Sequence, residues 1–136
     1  MSIATTAHAF FQACDTGAGW AECAQYCTAD AGFSCQADAL AEITTVEAYC
    51  EWMKGLLVPL PDARYELKAF SADEDRKVVT AFAVFHGTHT GEGPIPATSK
   101  ATASDYVYAM QFEGDKISHV TKIWNDLQAL KELGWA

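Results

Sequence analysis

The feature that most narrows what this chain can fold into is a change of hydrophobic period at Pro59 and Pro61. Ahead of the prolines, apolar residues recur at helical spacing; behind them, they alternate as they do along strands. Ala7, Phe10, Phe11 and Cys14 predict a first helix over about Ile3 to Asp15, stopped by Gly17 and Gly19. Trp20, Cys23, Ala24 and Cys27 predict a short second helix, which a turn cluster from Thr28 to Gly32 ends; Phe33, Ser34 and Cys35 then read as a brief strand. Thr44 and Glu47 stand as a capping box ahead of Val46, Tyr49, Cys50, Met53, Leu56 and Leu57, and the prolines close that third helix because neither can continue it.

Beyond Pro61, Tyr65, Leu67 and Ala69 alternate with Arg64, Glu66 and Lys68. A central strand from about Lys77 to Thr90, a Pro-containing loop, a strand from Lys100 to Phe112, a Glu113-Gly114-Asp115 turn and a strand from Lys116 to Trp124 follow. A short helix from about Leu127 to Leu133 precedes Gly134. Helices first and hairpin-linked strands afterwards imply one α+β domain over residues 1–136, its helices packed on a face of a curved antiparallel sheet. The space between a bent sheet and its helices is the natural place for a ligand.

Half of the residues are hydrophobic and a fifth charged, the balance of a packed domain. The net charge of −9 comes without any cluster of Lys or Arg to neutralise phosphates, so neither nucleic acid nor an anionic membrane is an expected partner. The first residues carry no basic segment followed by an apolar run, which leads to the expectation of a soluble, cytoplasmic protein. All five cysteines, Cys14, Cys23, Cys27, Cys35 and Cys50, lie in the first third; their odd number and spacing read as reduced core thiols, with neither a disulfide framework nor a metal site.

Two segments, Gly87-Thr88-His89-Thr90-Gly91-Glu92 at a strand end and Lys116-Ile117 through Leu133-Gly134, resemble the SnoaL-like polyketide cyclase group of the nuclear transport factor 2-like superfamily. The resemblance implies a cone-shaped, mixed or antiparallel sheet of the cystatin-like kind packed against the N-terminal helices. It implies an enzyme without metal or organic cofactor, a cyclase or a ketosteroid isomerase-like isomerase or lyase, in a homodimer. In such cyclases a histidine and an aspartate face the pocket. His89 matches the histidine; ungapped counting puts the aspartate on Asn125, with Asp126 one place later.

Moving a proton beside a carbonyl requires a base and a donor for the developing oxyanion. Asp126 or His89 is the expected base, and Asn125 either donates to a ligand oxygen or caps the last helix. Trp20, Tyr26, Tyr49, Trp52, Tyr106, Tyr108 and Trp124 are the aromatics expected to supply the apolar wall, with His119 completing a polar patch beside Asn125. The expected occupant is a small hydrophobic or carbonyl-containing molecule. An alternative is a binding domain that holds such a molecule without catalysis.

Overall fold

The computed structural model describes residues 2–136. Helix α1 (Ile3–Asp15) starts where the Ser2 hydroxyl accepts from the Thr5 amide; α2 (Trp20–Cys23) runs into a 3-10 turn at Ala24–Tyr26. Then come β1 (Cys27–Cys35), α3 (Val46–Leu56), β2 (Arg64–Asp73), β3 (Val78–Thr88), β4 (Ala101–Glu113), β5 (Lys116–Trp124) and α4 (Asp126–Leu133), which ends on Gly134 in the left-handed conformation. The five strands form one sheet in the order β1-β5-β4-β3-β2. Only the β1–β5 pairing is parallel; the other three are antiparallel.

Three register shifts, at Cys27/Gly32, Leu67/Ala69 and Gln111/Phe112, bend the strands and give the open sheet its curve. Phe10, Phe11 and Cys14 of α1 and Tyr49, Cys50 and Met53 of α3 are buried with Val79, Ala81 and Ala83 of β3 and the inner row of β4. Helix α3 and α1 therefore lie over the same face of the sheet.

Three expectations are corrected. The stretch from Thr28 to Gly32 belongs to β1 and is not a turn: Asp30 and Gly32, strand-breaking in isolation, sit at the irregular part of an edge strand, while Ala31 and Phe33 are buried. The cap of α3 is Thr45, whose hydroxyl accepts from the Ala48 amide, because the Thr44 carbonyl is engaged by the Phe33 amide. In β2 the bulge after Leu67 turns Ala69 outward and leaves Phe70 as the next half-buried residue. No helix among the described residues is long and apolar enough to cross a membrane.

Candidate active site

Strand β4 alternates with few interruptions, and its inner row reads Thr102, Ser104, Tyr106, Tyr108, Met110 and Phe112, all buried. On the neighbouring β5, Lys122 and Trp124 point to the same side, and α3 brings Tyr49, Trp52, Met53 and Leu56 down on them. Together with Leu130, Leu133 and Trp135 from the C-terminal segment, these residues line an internal cavity of about 60 Å³. That is room for a few waters or one end of a small molecule. Trp52, Leu56 and Trp135 also border an outer cleft of about 520 Å³, completed by Gly55, Pro59, His89, Pro94 and Ile95. Three side chains thus form the boundary between an inner chamber and a larger, more open one.

Behind the cavity wall lies a continuous chain of buried polar groups. Lys122 is 6 % exposed, and its Nζ donates to the Tyr49 hydroxyl at 2.8 Å. The Tyr49 and Tyr108 hydroxyls are 2.5 Å apart, and Tyr108 donates to Oδ1 of Asp15 at 2.6 Å. Tyr106 donates to Oδ2 of the same carboxylate. Because the single proton of Tyr108 is spent on Asp15, the proton between the two tyrosines belongs to Tyr49. All donors therefore run one way, from the Lys122 amine in the cavity to the Asp15 carboxylate at the end of α1.

Burial pushes Asp15 up to about 6, against the pull of the Tyr106 and Tyr108 hydrogen bonds and of the Lys122 charge. Burial likewise lowers Lys122 to about 8, with the Asp15 charge opposing the shift. At neutral pH both are mainly charged, yet only about two units separate them, so moving a proton from Lys122 to Asp15 costs about 3 kcal/mol. Aromatic faces surround the amine: Nζ lies 4.4 Å from the Trp124 ring centre, 5.0 Å from that of Tyr49, 5.3 Å from Tyr106 and 5.5 Å from Trp52.

His89 is buried at 1 % exposure and borders the outer cleft, away from the inner chamber. Its Nδ1 accepts from the Trp135 indole at 2.9 Å and from the Thr98 amide at 3.3 Å. Neutral His89 so held carries its proton on Nε2, and that nitrogen is buried without a partner.

The remaining sequence-derived candidates divide. Tyr49, Trp52, Tyr108 and Trp124 line the inner cavity together. Asn125 and Asp126 line neither chamber: the exposed Asn125 accepts from the Gln128 amide as the cap of α4, and the Asp126 oxygens accept from the amides of Ala39 at 2.9 Å and Leu127 at 3.0 Å. The strand ends at Trp124 and the helix begins at Asp126, so both residues satisfy backbone groups where the chain turns. Tyr26 is half-buried at the end of the 3-10 turn, outside both chambers. His119 lies on the opposite face of β5 from Lys122, hydrogen-bonded to the Ser34 hydroxyl at 2.8 Å. Tyr106, also among the expected aromatics, lines the inner cavity, whereas Trp20 lines neither chamber; Asp15 and Lys122 were not among the sequence-derived site residues. Among the described residues, no three His, Cys, Asp or Glu side chains gather as metal ligands.

The family model for SnoaL-like polyketide cyclases matches residues 5–133. The chain belongs to that family. Among solved structures, a candidate polyketide cyclase from Acidithiobacillus ferrooxidans superimposes with a TM-score of 0.77 at 19% identity, over 100% of this chain and 97% of that one. IdmH, a candidate polyketide cyclase from Streptomyces antibioticus, gives 0.75 at 17% identity over 98% and 99% of the two chains. A cystatin fold protein from Novosphingobium aromaticivorans gives 0.67 at 22% identity over 90% and 98%. At these identities the likeness establishes the fold. No curated protein shows a significant match.

Proposed function

We propose that this SnoaL-like protein is a small-molecule enzyme of the cyclase or isomerase kind, which removes a proton beside a carbonyl group held in its apolar chamber. The observation that carries this reading is the one-way chain from Lys122 through Tyr49 and Tyr108 to Asp15. An ammonium cannot take a proton. If each hydroxyl hands its proton one step along, Lys122 becomes a free amine facing the cavity and Asp15 holds the displaced proton. The amine then removes the acidic C–H proton of the substrate, and the ammonium so formed stabilises the enolate oxygen inside a dry, aromatic cage.

The bulk of the substrate occupies the outer cleft, since the inner chamber takes only its reacting end. His89 borders that cleft, and an opening of the Gly93 segment beside its buried Nε2 would present the unpartnered Nε2–H to a second carbonyl oxygen, which for a ring-closing addition is the electrophile. Acetylacetone supplies both carbonyls, and its exchange of C–H protons for solvent deuterium, followed by NMR, tests the reading. The exchange rate is expected to fall below about pH 6, where protonated Asp15 can no longer accept the relayed proton. It should collapse in Lys122→Met, lose its acid limb in Asp15→Asn and weaken in His89→Ala. Exchange that is indifferent to both Lys122→Met and Asp15→Asn overturns the mechanism.

A further inference from the structure

The Lys122 amine has three protons when charged and one hydrogen-bond partner, the Tyr49 hydroxyl. Among the described residues no carboxylate lies within ion-pair distance of it; the ion pairs found all involve other side chains. Lys122 lines the inner cavity, whose wall is otherwise almost wholly apolar. A buried primary amine beside a cavity, with one hydrogen-bond partner and no ion pair, has the makings of a nucleophile as well as a base.

We infer that Lys122 condenses with the carbonyl carbon of an aldehyde or ketone held in the inner chamber, forming a protonated imine. The inference deepens the proposed function, because it rests on a carbonyl compound entering that chamber. The nitrogen lone pair of the neutral amine forms the C–N bond while the carbonyl π pair moves onto oxygen. The Tyr49 hydroxyl, the one polar group touching the amine, protonates that oxygen and takes back the proton the nitrogen sheds. The carbinolamine then expels its hydroxyl as water, protonated by the proton that Asp15 returns through Tyr108 and Tyr49, leaving C=N–H⁺ on Lys122 and Asp15 ionised again. Ammonium plus carbonyl has become iminium plus water, with charge and atoms balanced and no redox partner needed. Water reverses the step.

The surroundings suit the product. The iminium keeps the single positive charge where the ammonium had it, among the Trp124, Tyr49, Tyr106 and Trp52 rings and within reach of the Asp15 countercharge relayed by the tyrosines. An iminium withdraws electrons from the neighbouring carbon more strongly than a carbonyl does, so the adjacent C–H is easier to ionise. The lowered proton affinity of Lys122 keeps more of it neutral at pH 7 than its ordinary value would.

The test traps the imine. The intact protein is incubated at neutral pH with cinnamaldehyde, a flat apolar aldehyde of a size for the two chambers, and sodium cyanoborohydride, which reduces iminium to a stable secondary amine. Peptide mass spectrometry should find Lys122 alkylated about tenfold faster than exposed lysines such as Lys54. Lys122→Met, checked for folding by circular dichroism, should lose that fast phase alone. Labelling confined to surface lysines, with deuterium exchange of acetylacetone still dependent on Lys122, overturns the imine and leaves the amine as a base. Absence of both labelling at Lys122 and Lys122-dependent exchange overturns the imine together with the reading it rests on.

Discussion

Replacing Tyr108 by Phe removes one oxygen atom from the middle of the buried chain and leaves the ring in place. Tyr108 has no exposed surface, so no bulk water stands ready to replace the hydroxyl. Two bonds go: the donation to Asp15 at 2.6 Å and the acceptance from Tyr49 at 2.5 Å. At pH 5 Asp15 is mostly neutral in the folded protein, and the loss should be that of two ordinary buried hydrogen bonds, about 2 kcal/mol. At pH 8 it is a carboxylate deprived of one of its two donors, and a charge-assisted bond is worth about twice a neutral one, so the loss should reach about 3 kcal/mol.

The difference, about 1 kcal/mol, fixes a second quantity. Through linkage it equals about 0.7 of a unit of proton affinity, so Asp15 must rise from about 6 by that amount in the variant. Urea unfolding followed by tryptophan fluorescence at the two pH values measures the first quantity, and a carbon NMR titration of the Asp15 carboxyl measures the second. Equal destabilisation at pH 5 and pH 8, or an Asp15 titration that stays put or moves down, refutes the claim that Tyr108 holds a charged carboxylate.

Other expectations are simpler. Asn125→Ala should cost about 1 kcal/mol of stability through loss of the α4 cap, and should leave deuterium exchange of acetylacetone unchanged, since Asn125 lines neither chamber. Gly91→Ala should raise the apparent KM by displacing the loop that borders the outer cleft: a Cβ at Gly91 would lie 2.0 Å from the Val58 carbonyl oxygen, and the Gly91 amide bonds the Pro59 carbonyl at that close approach. A Gly91→Ala protein with unaltered KM would show that the loop is not needed to shape the cleft.

The order of helices and strands was legible because Pro59 and Pro61 divide two periods that no single element can satisfy. So was the inner row of β4, where Tyr106 and Tyr108 fall two apart on one face. The grouping of Val120, Lys122 and Trp124 on one face of β5 was legible too; alternation alone does not say which face is covered. Asp15 offered no local sign, reading as the last residue before a glycine stop. Its partners Tyr106 and Tyr108 lie 91 and 93 residues further along the chain, a separation that only the closed sheet brings together. Asn125 and Asp126 misled for a related reason: the resemblance assigns a side chain to the pocket, whereas the chain leaves the strand one residue earlier and spends both on backbone amides.

Stability does not account for the buried pair. Asp15 lies on the last residue of α1, where the helix dipole opposes a negative charge, and its ionised form is disfavoured by about 3 kcal/mol; charged Lys122 carries a similar cost. The signs differ. Asp15, raised on folding, contributes stability that is full below about 3.8 and is lost as pH rises through about 6. Lys122, lowered on folding, contributes stability that is full above about 10.5 and is lost as pH falls through about 8. Between about 6 and 8 both costs are present together, and apolar residues of the same shape would pack there with no such loss. That interval is also the one in which Asp15 is free to accept a proton and Lys122 is close enough to neutrality to give one up. The energy held in the two desolvated charges is thus greatest where the relay can run, which is what a site for proton transfer requires and a packing core does not.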